Sequence, residues 1–118
     1  MNLNHIHLHV ASVDRAAAFY ERYFGLRRQV WHGDILFMRD QAGMDLALAP
    51  AEAVEPFPPW FHIGFRLDAP GEVEALHERL RADGAPILQP YAVDGDFAVF
   101  RCADPDGYQL EIYFEPDP

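Results

Sequence analysis

The sequence predicts an α+β fold assembled from two copies of a strand–helix–three-strand unit. Three features point there: period-two apolar alternation at residues 3–10 and again at 61–67, a helical stretch after each, and three short strand candidates after each helix. The order is therefore βαβββ twice, a repeat in which each copy needs the other to close a core.

Each element has a local reason. In residues 3–10, Asn4, Ile6, Leu8 and Val10 share one face, and His5, His7 and His9 share the other. Ser12 then offers an N-cap with Asp14 in the first turn, and the helix carries Ala16, Tyr20 and Tyr23 along one stripe, with Phe24 beside them, before stopping at Gly25. Strands are expected at 26–31, 35–39 and 44–49, separated by His32-Gly33-Asp34 and by the turn at 40–43. Residues 51–59, rich in Pro and Glu, read as a connector, so module one covers 1–50 and module two 60–118 of a single domain. In the second copy, Ile63, Phe65 and Leu67 oppose His62, Gly64 and Arg66. Pro70 and Gly71 open a helix with Val73, Leu76 and Leu80 at helical spacing, and Gly84 with Pro86 ends it. Strands at 87–91, 97–102 and 108–114 complete the copy, divided by turns at 93–96 and 103–107.

Composition narrows the function. A chain of 118 residues, half of them apolar and about a quarter charged, is one ordinary globular domain. Nine basic against nineteen acidic residues give a net charge of -10, which argues against nucleic acid and anionic membrane surfaces as partners. The first ten residues lack the basic segment of a signal peptide, and no apolar run is long enough to span a bilayer. The single Cys102 lies in an apolar stretch and reads as a buried structural thiol. A cytoplasmic protein is expected.

The repeat extends to chemistry. His5 and His62 follow the start of their copy's first strand, while Asp45 and Glu111 sit in the last strands, each five residues before a proline. All four have parity opposite to the apolar residues that the helices must cover. If the two sheets curve into one surface, these side chains converge on its concave side, a cleft able to hold Fe(II), Mn(II), Zn(II) or a similar ion through imidazoles and carboxylates. The same residues also suit a plainer role, as the polar half of exposed amphipathic strands.

Asn4-His5-Ile6, His62, and Asp104-Pro105-Asp106-Gly107-Tyr108-Gln109-Leu110-Glu111 together resemble the vicinal oxygen chelate superfamily, which contains glyoxalase I, fosfomycin-resistance thiol transferases, bleomycin-resistance proteins, methylmalonyl-CoA epimerase and extradiol dioxygenases. The resemblance covers essentially the whole chain. It implies paired βαβββ modules forming an incomplete mixed-sheet barrel around a cleft, and a divalent ion (Fe, Mn, Zn or Ni) held by His5, His62 and Glu111, with Asp45 at the place of a fourth ligand although one methylene shorter than the usual Glu. It also implies a lyase or isomerase acting on a small substrate that chelates through neighbouring oxygens, or an iron-dependent extradiol dioxygenase, in a homodimer.

Glu111 or Asp45 is then the candidate base, and His7 an acid–base group or a partner to a ligand. Arg66 is a candidate for an anionic substrate or for a salt bridge, and Tyr113 for a hydrogen bond to ligand or for lining. His9 is assigned to the wall, and His32 and His77 to solvent. His7 stands where the fosfomycin transferases carry Thr, which weakens that branch. The alternative from another class is a metal-free small-molecule binding protein of the bleomycin-resistance type, for which the acidic charge suits a cationic ligand and Trp31, Phe37, Trp60 and Phe97 offer stacking surfaces.

Overall fold

The computed structural model describes residues 1–117. Two compact units divide the chain, Met1–Glu55 and a second that begins at Pro56. The first contains β1 (His5–Val10), α1 (Val13–Phe24), β2 (Arg27–His32), β3 (Ile35–Arg39) and β4 (Asp45–Pro50). The second contains β5 (Ile63–Arg66), α2 (Pro70–Ala82), β6 (Ile87–Asp94), β7 (Phe97–Ala103) and β8 (Gln109–Phe114). Each unit forms one open four-stranded mixed sheet, in the orders β1-β4-β3-β2 and β5-β8-β7-β6. The first strand of each unit pairs parallel with the last, and the remaining pairs are antiparallel.

One helix covers one face of each sheet, α1 lying on β3 and β4, and α2 on β6, β7 and β8. In the first unit, Ala16, Ala17 and Tyr20 meet a layer that includes Leu8, Val10, Leu36, Met38 and Leu48, all buried. In the second, Val73 and Leu80 sit with Phe100, Leu110 and Ile112, again buried. The alternation in β1 is as expected: Leu8 and Val10 are buried, and His5, His7 and His9 are exposed.

The helix ends follow local chemistry. Ser12 Oγ accepts the Arg15 amide at 3.2 Å, and Gly25, at φ 67°, takes the left-handed conformation that only glycine adopts cheaply. Helix α2 has Pro70 in its first turn, while Glu72 accepts the Asp68 amide at 3.0 Å.

Three details depart from the sequence reading, one being that β6 runs on to Asp94, into the expected turn at 93–96. His77, assigned there to solvent, is buried: it lies four residues after Val73 and three before Leu80, on the core stripe, with its ring edge-on to Phe100 at 5.2 Å. Strand β5 is shorter than the expected 61–67, so His62 precedes the strand instead of lying in it. Residues 51–62 form neither helix nor strand.

Candidate functional site

The turns that lead into β4 and β8 are built alike. Asp40 Oδ1 accepts the amides of Ala42 and Met44 at 2.9 and 2.8 Å, and Asp104 Oδ1 accepts those of Asp106 and Tyr108 at 2.9 and 3.0 Å. Gly43 and Gly107, both at φ 91°, close the two turns. Asp104-Pro105-Asp106-Gly107 is therefore a structural device, and its Asp104 is 3 % exposed.

Such a turn fixes strand register by counting outward from it. In the first unit, Asp45 lies between His5 and Arg39, and Ala47 between His7 and Phe37. In the second, Glu111 lies between Gly64 and Arg101, while Gln109 pairs with Ala103. Matching the two turns makes His5 equivalent to His62, as the sequence indicated. It also makes Asp45 equivalent to Gln109, and Ala47 to Glu111. The spacing to a proline had paired Asp45 with Glu111; register shifts that pairing by two residues, because Pro50 ends β4 whereas Pro116 lies beyond the end of β8.

Both histidines hold Nδ1 in a local contact. His62 Nδ1 lies 3.0 Å from the Trp60 carbonyl oxygen, which only accepts, so Nδ1 donates and, in the neutral ring, Nε2 carries the lone pair. His5 Nδ1 lies 2.9 Å from Asn4 Oδ1. In the second unit, His62 Nε2 stands 3.8 Å from Glu111 Oε2, too far for a hydrogen bond. Two metal–ligand bonds of about 2.0–2.2 Å each can bridge that separation, so imidazole and carboxylate fit a divalent first-row ion as two of its ligands. Among the described residues, no group of three or more His, Cys, Asp or Glu side chains is placed to hold a metal ion.

Each carboxylate has an arginine, and the two are held differently. Arg39 forks onto both oxygens of Asp45, Nε to Oδ1 at 2.7 Å and Nη2 to Oδ2 at 3.1 Å. This hydrogen bonding holds the Asp45 carboxyl below its ordinary range. Arg101 directs both of its contacts, Nε at 3.1 Å and Nη2 at 2.8 Å, to the single oxygen Oε2 of Glu111. Neither arginine was singled out from the sequence. Counting from the Asp–Gly turns would have found them, since the turn sets which residue of the preceding strand faces each carboxylate.

The remaining candidates are placed as follows. His7 is exposed on the His5 face and lies edge-on to His9 at 5.4 Å. Arg66 donates to the Glu115 carbonyl at 2.6 Å and to Asp117 Oδ1 at 2.9 Å, the salt-bridged alternative of its two expected roles, and borders a pocket of about 360 Å³ with Asp68, Phe114 and Asp117. Tyr113 is half-buried, 6.2 Å from Phe97 between centroids, and its ring passes over Gly64, where an added Cβ would stand 3.5 Å from Tyr113 Cε1. Cys102 is buried, and burial pushes its thiol up to about 12. Trp31 and Trp60 are 49 % and 73 % exposed. No described helix is long and apolar enough to cross a membrane.

Comparison with known proteins agrees with this fold. A solved structure of a possible glyoxalase from Bacillus cereus is 32 % identical with a TM-score of 0.83, over 95 % of this chain and 97 % of that one. A manganese-dependent 2,3-dihydroxybiphenyl 1,2-dioxygenase of Geobacillus genomosp. 3 is 28 % identical over 94 % of this chain, which spans only 36 % of that protein's length. A probable trivalent organoarsenical cleaving enzyme of Bacillus subtilis is 27 % identical over 97 % of this chain and 80 % of its own length. The family profile matches residues 2–112, nearly the whole chain. With two βαβββ units and this match, the chain belongs to the Glyoxalase/Bleomycin resistance protein/Dioxygenase superfamily, the vicinal oxygen chelate group.

Proposed function

We propose that this protein is a divalent-metal-dependent enzyme acting on a small substrate that chelates through two neighbouring oxygens. His5, His62 and Glu111 are the proposed ligands, and Fe, Mn, Zn and Ni all suit such a donor set. The observation that carries the reading is the His62–Glu111 pair, Nε2 to Oε2 at 3.8 Å, with the Nδ1 proton of His62 committed to a backbone carbonyl. A ligand histidine is commonly oriented by such an outer partner.

When bound, the ion supplies Lewis-acid polarisation of the chelated oxygens. The protein's own part is to orient the substrate and move protons. His7, exposed on the His5 face, is a proposed proton carrier, and Glu111 the proposed base. Tyr113, in register with Arg66, is proposed to donate to the bound substrate. Arg66 is proposed as an anion contact, a role that requires its bond to Asp117 to open.

Within the superfamily two reaction types fit: a lyase or isomerase, as the similarity to a possible glyoxalase supports, and ring-cleaving oxygenation of a catechol, as the dioxygenase relative supports. Cleavage of organoarsenicals is less well supported. Trivalent arsenic favours thiolate ligands, and the one cysteine in this sequence is buried with its thiol pushed up to about 12. We propose a cytoplasmic homodimer, with a solution mass twice the 13.5 kDa of the chain.

Metal content of protein purified without chelator tests the reading, followed by the same assay on His62→Ala. Stoichiometric metal that the variant loses supports it. Absence of metal, or no loss on substitution, favours the binding-protein alternative, which the charge of -10 suits through a cationic ligand. Oxygen uptake with a panel of catechols, set against turnover of thiohemiacetals, separates the two reaction types.

A further inference from the structure

We propose that Arg39 and Arg101 sort the two strand carboxylates into different jobs: Arg39 withdraws Asp45 into a closed ion pair outside the metal site, and Arg101 is a positioning residue that keeps Glu111 aimed as a ligand. This inference rests on the metal-dependent reading above and specifies which carboxylates serve it.

Register supplies the first argument. The matched turns at Asp40 and Asp104 make Ala47 the equivalent of Glu111, and Asp45 the equivalent of Gln109. Asp45 is thus two residues, about 7 Å along β4, from Ala47, the first-module equivalent of the residue that carries the second module's carboxylate. At that position the first module has only a methyl group.

The hydrogen bonds supply the second. Both oxygens of Asp45 are taken, at 2.7 and 3.1 Å, by a guanidinium whose planar fork matches a carboxylate. A cation would have to break that pair to use either oxygen. At Glu111 both arginine nitrogens converge on Oε2, the oxygen 3.8 Å from His62 Nε2, and Oε1 lies outside the grip, so the carboxylate keeps one oxygen for a cation without breaking the pair. The Arg101 and Glu111 side chains are 25 % and 20 % exposed, shielded enough for the contact to fix the carboxylate's rotamer. The equivalent of Arg101 in the first module is Phe37, facing Ala47. Arginine and carboxylate are present together in one module and absent together at the equivalent place in the other, as expected if one exists to hold the other.

The consequence is a site with three protein ligands. A divalent ion held by three protein ligands would leave positions for a chelating substrate, and two imidazoles with one carboxylate are a donor set that suits the oxygenase branch better than an isomerase with four protein ligands.

Calorimetric titration of chelator-stripped protein with MnCl2 tests this, with thermal midpoints recorded alongside. Asp45→Asn is expected to bind manganese within about twofold of wild type, and Arg101→Met roughly tenfold more weakly at an unchanged midpoint, with Arg101→Lys recovering part of the loss. If Asp45→Asn is unstable, Arg39→Met opens the same pair from the other side and carries the same expectation. A roughly tenfold loss in Asp45→Asn makes Asp45 a ligand and overturns the proposal. Unchanged or tighter binding by Arg101→Met makes Arg101 a bystander or a competitor, and overturns it equally. Wild-type protein that binds no manganese, iron, zinc or nickel removes the metal-dependent reading itself, and this inference with it.

Discussion

At the scale of single residues, Asp45 has a consequence independent of any metal. Its carboxyl is held below the ordinary 3.8 chiefly by the hydrogen bond from Arg39. A carboxyl depressed in the folded state stabilises the protein fully above its unfolded value and loses that contribution as pH falls through the folded one. Wild type should therefore lose stability more steeply than Asp45→Asn as pH drops below 3.8, and urea midpoints across the acid range measure it; parallel curves would mean the pair contributes nothing. Much at this scale was legible in the sequence. Strict alternation in β1 forces His5 away from Leu8 and Val10, whatever the rest of the chain does. His77 was not legible, because a histidine at a core position differs from a solvated one only through neighbours such as Phe100, distant in sequence. Arg101 was missed for a related reason: its partner is set by hairpin register, which a residue-by-residue reading does not trace.

At the scale of elements, two glycines make opposite predictions. Gly25 ends α1 at φ 67° with open space around the position of a Cβ, so Gly25→Ala pays only backbone strain, about 1 kcal/mol of stability lost. Gly71 sits in the first turn of α2 with equally open space and no left-handed angle, so Gly71→Ala should gain roughly 0.5–1 kcal/mol. Denaturant titration of the two variants checks both signs. Helix α1 was readable because its stop signal is local: Ser12 at one end and Gly25 at the other. Strand β5 was less so. Phe61 and His62 continue its alternation, but the ladder with β8 begins only at Ile63, and pairing is a property of two segments together. The proline rule used to align the modules failed similarly, since Pro50 still lies in β4 whereas Pro116 lies beyond β8.

At the scale of the whole molecule, a ligand that binds only the folded chain must stabilise it. Metal at 100 times its dissociation constant adds about 2.7 kcal/mol, which for a chain of this size raises the thermal midpoint by roughly 10 °C. Scanning calorimetry with added metal, then with excess chelator, measures the shift, and a midpoint indifferent to both would contradict the proposed site. The duplicated architecture was legible because the same pattern occurs twice. The place of Asp45 relative to Glu111 was not, because it depends on a two-residue offset between copies. One further consequence concerns proteases. The irregular segment 51–62 contains no lysine or arginine, and the nearest arginines, Arg39 and Arg66, lie within β3 and β5. Trypsin therefore has no site there, whereas an enzyme that cuts after aromatic residues meets Trp60 with 73 % of its surface open. Brief digestion with chymotrypsin should nick the native chain after Trp60 and release two fragments near the unit boundary, while trypsin leaves the segment joined.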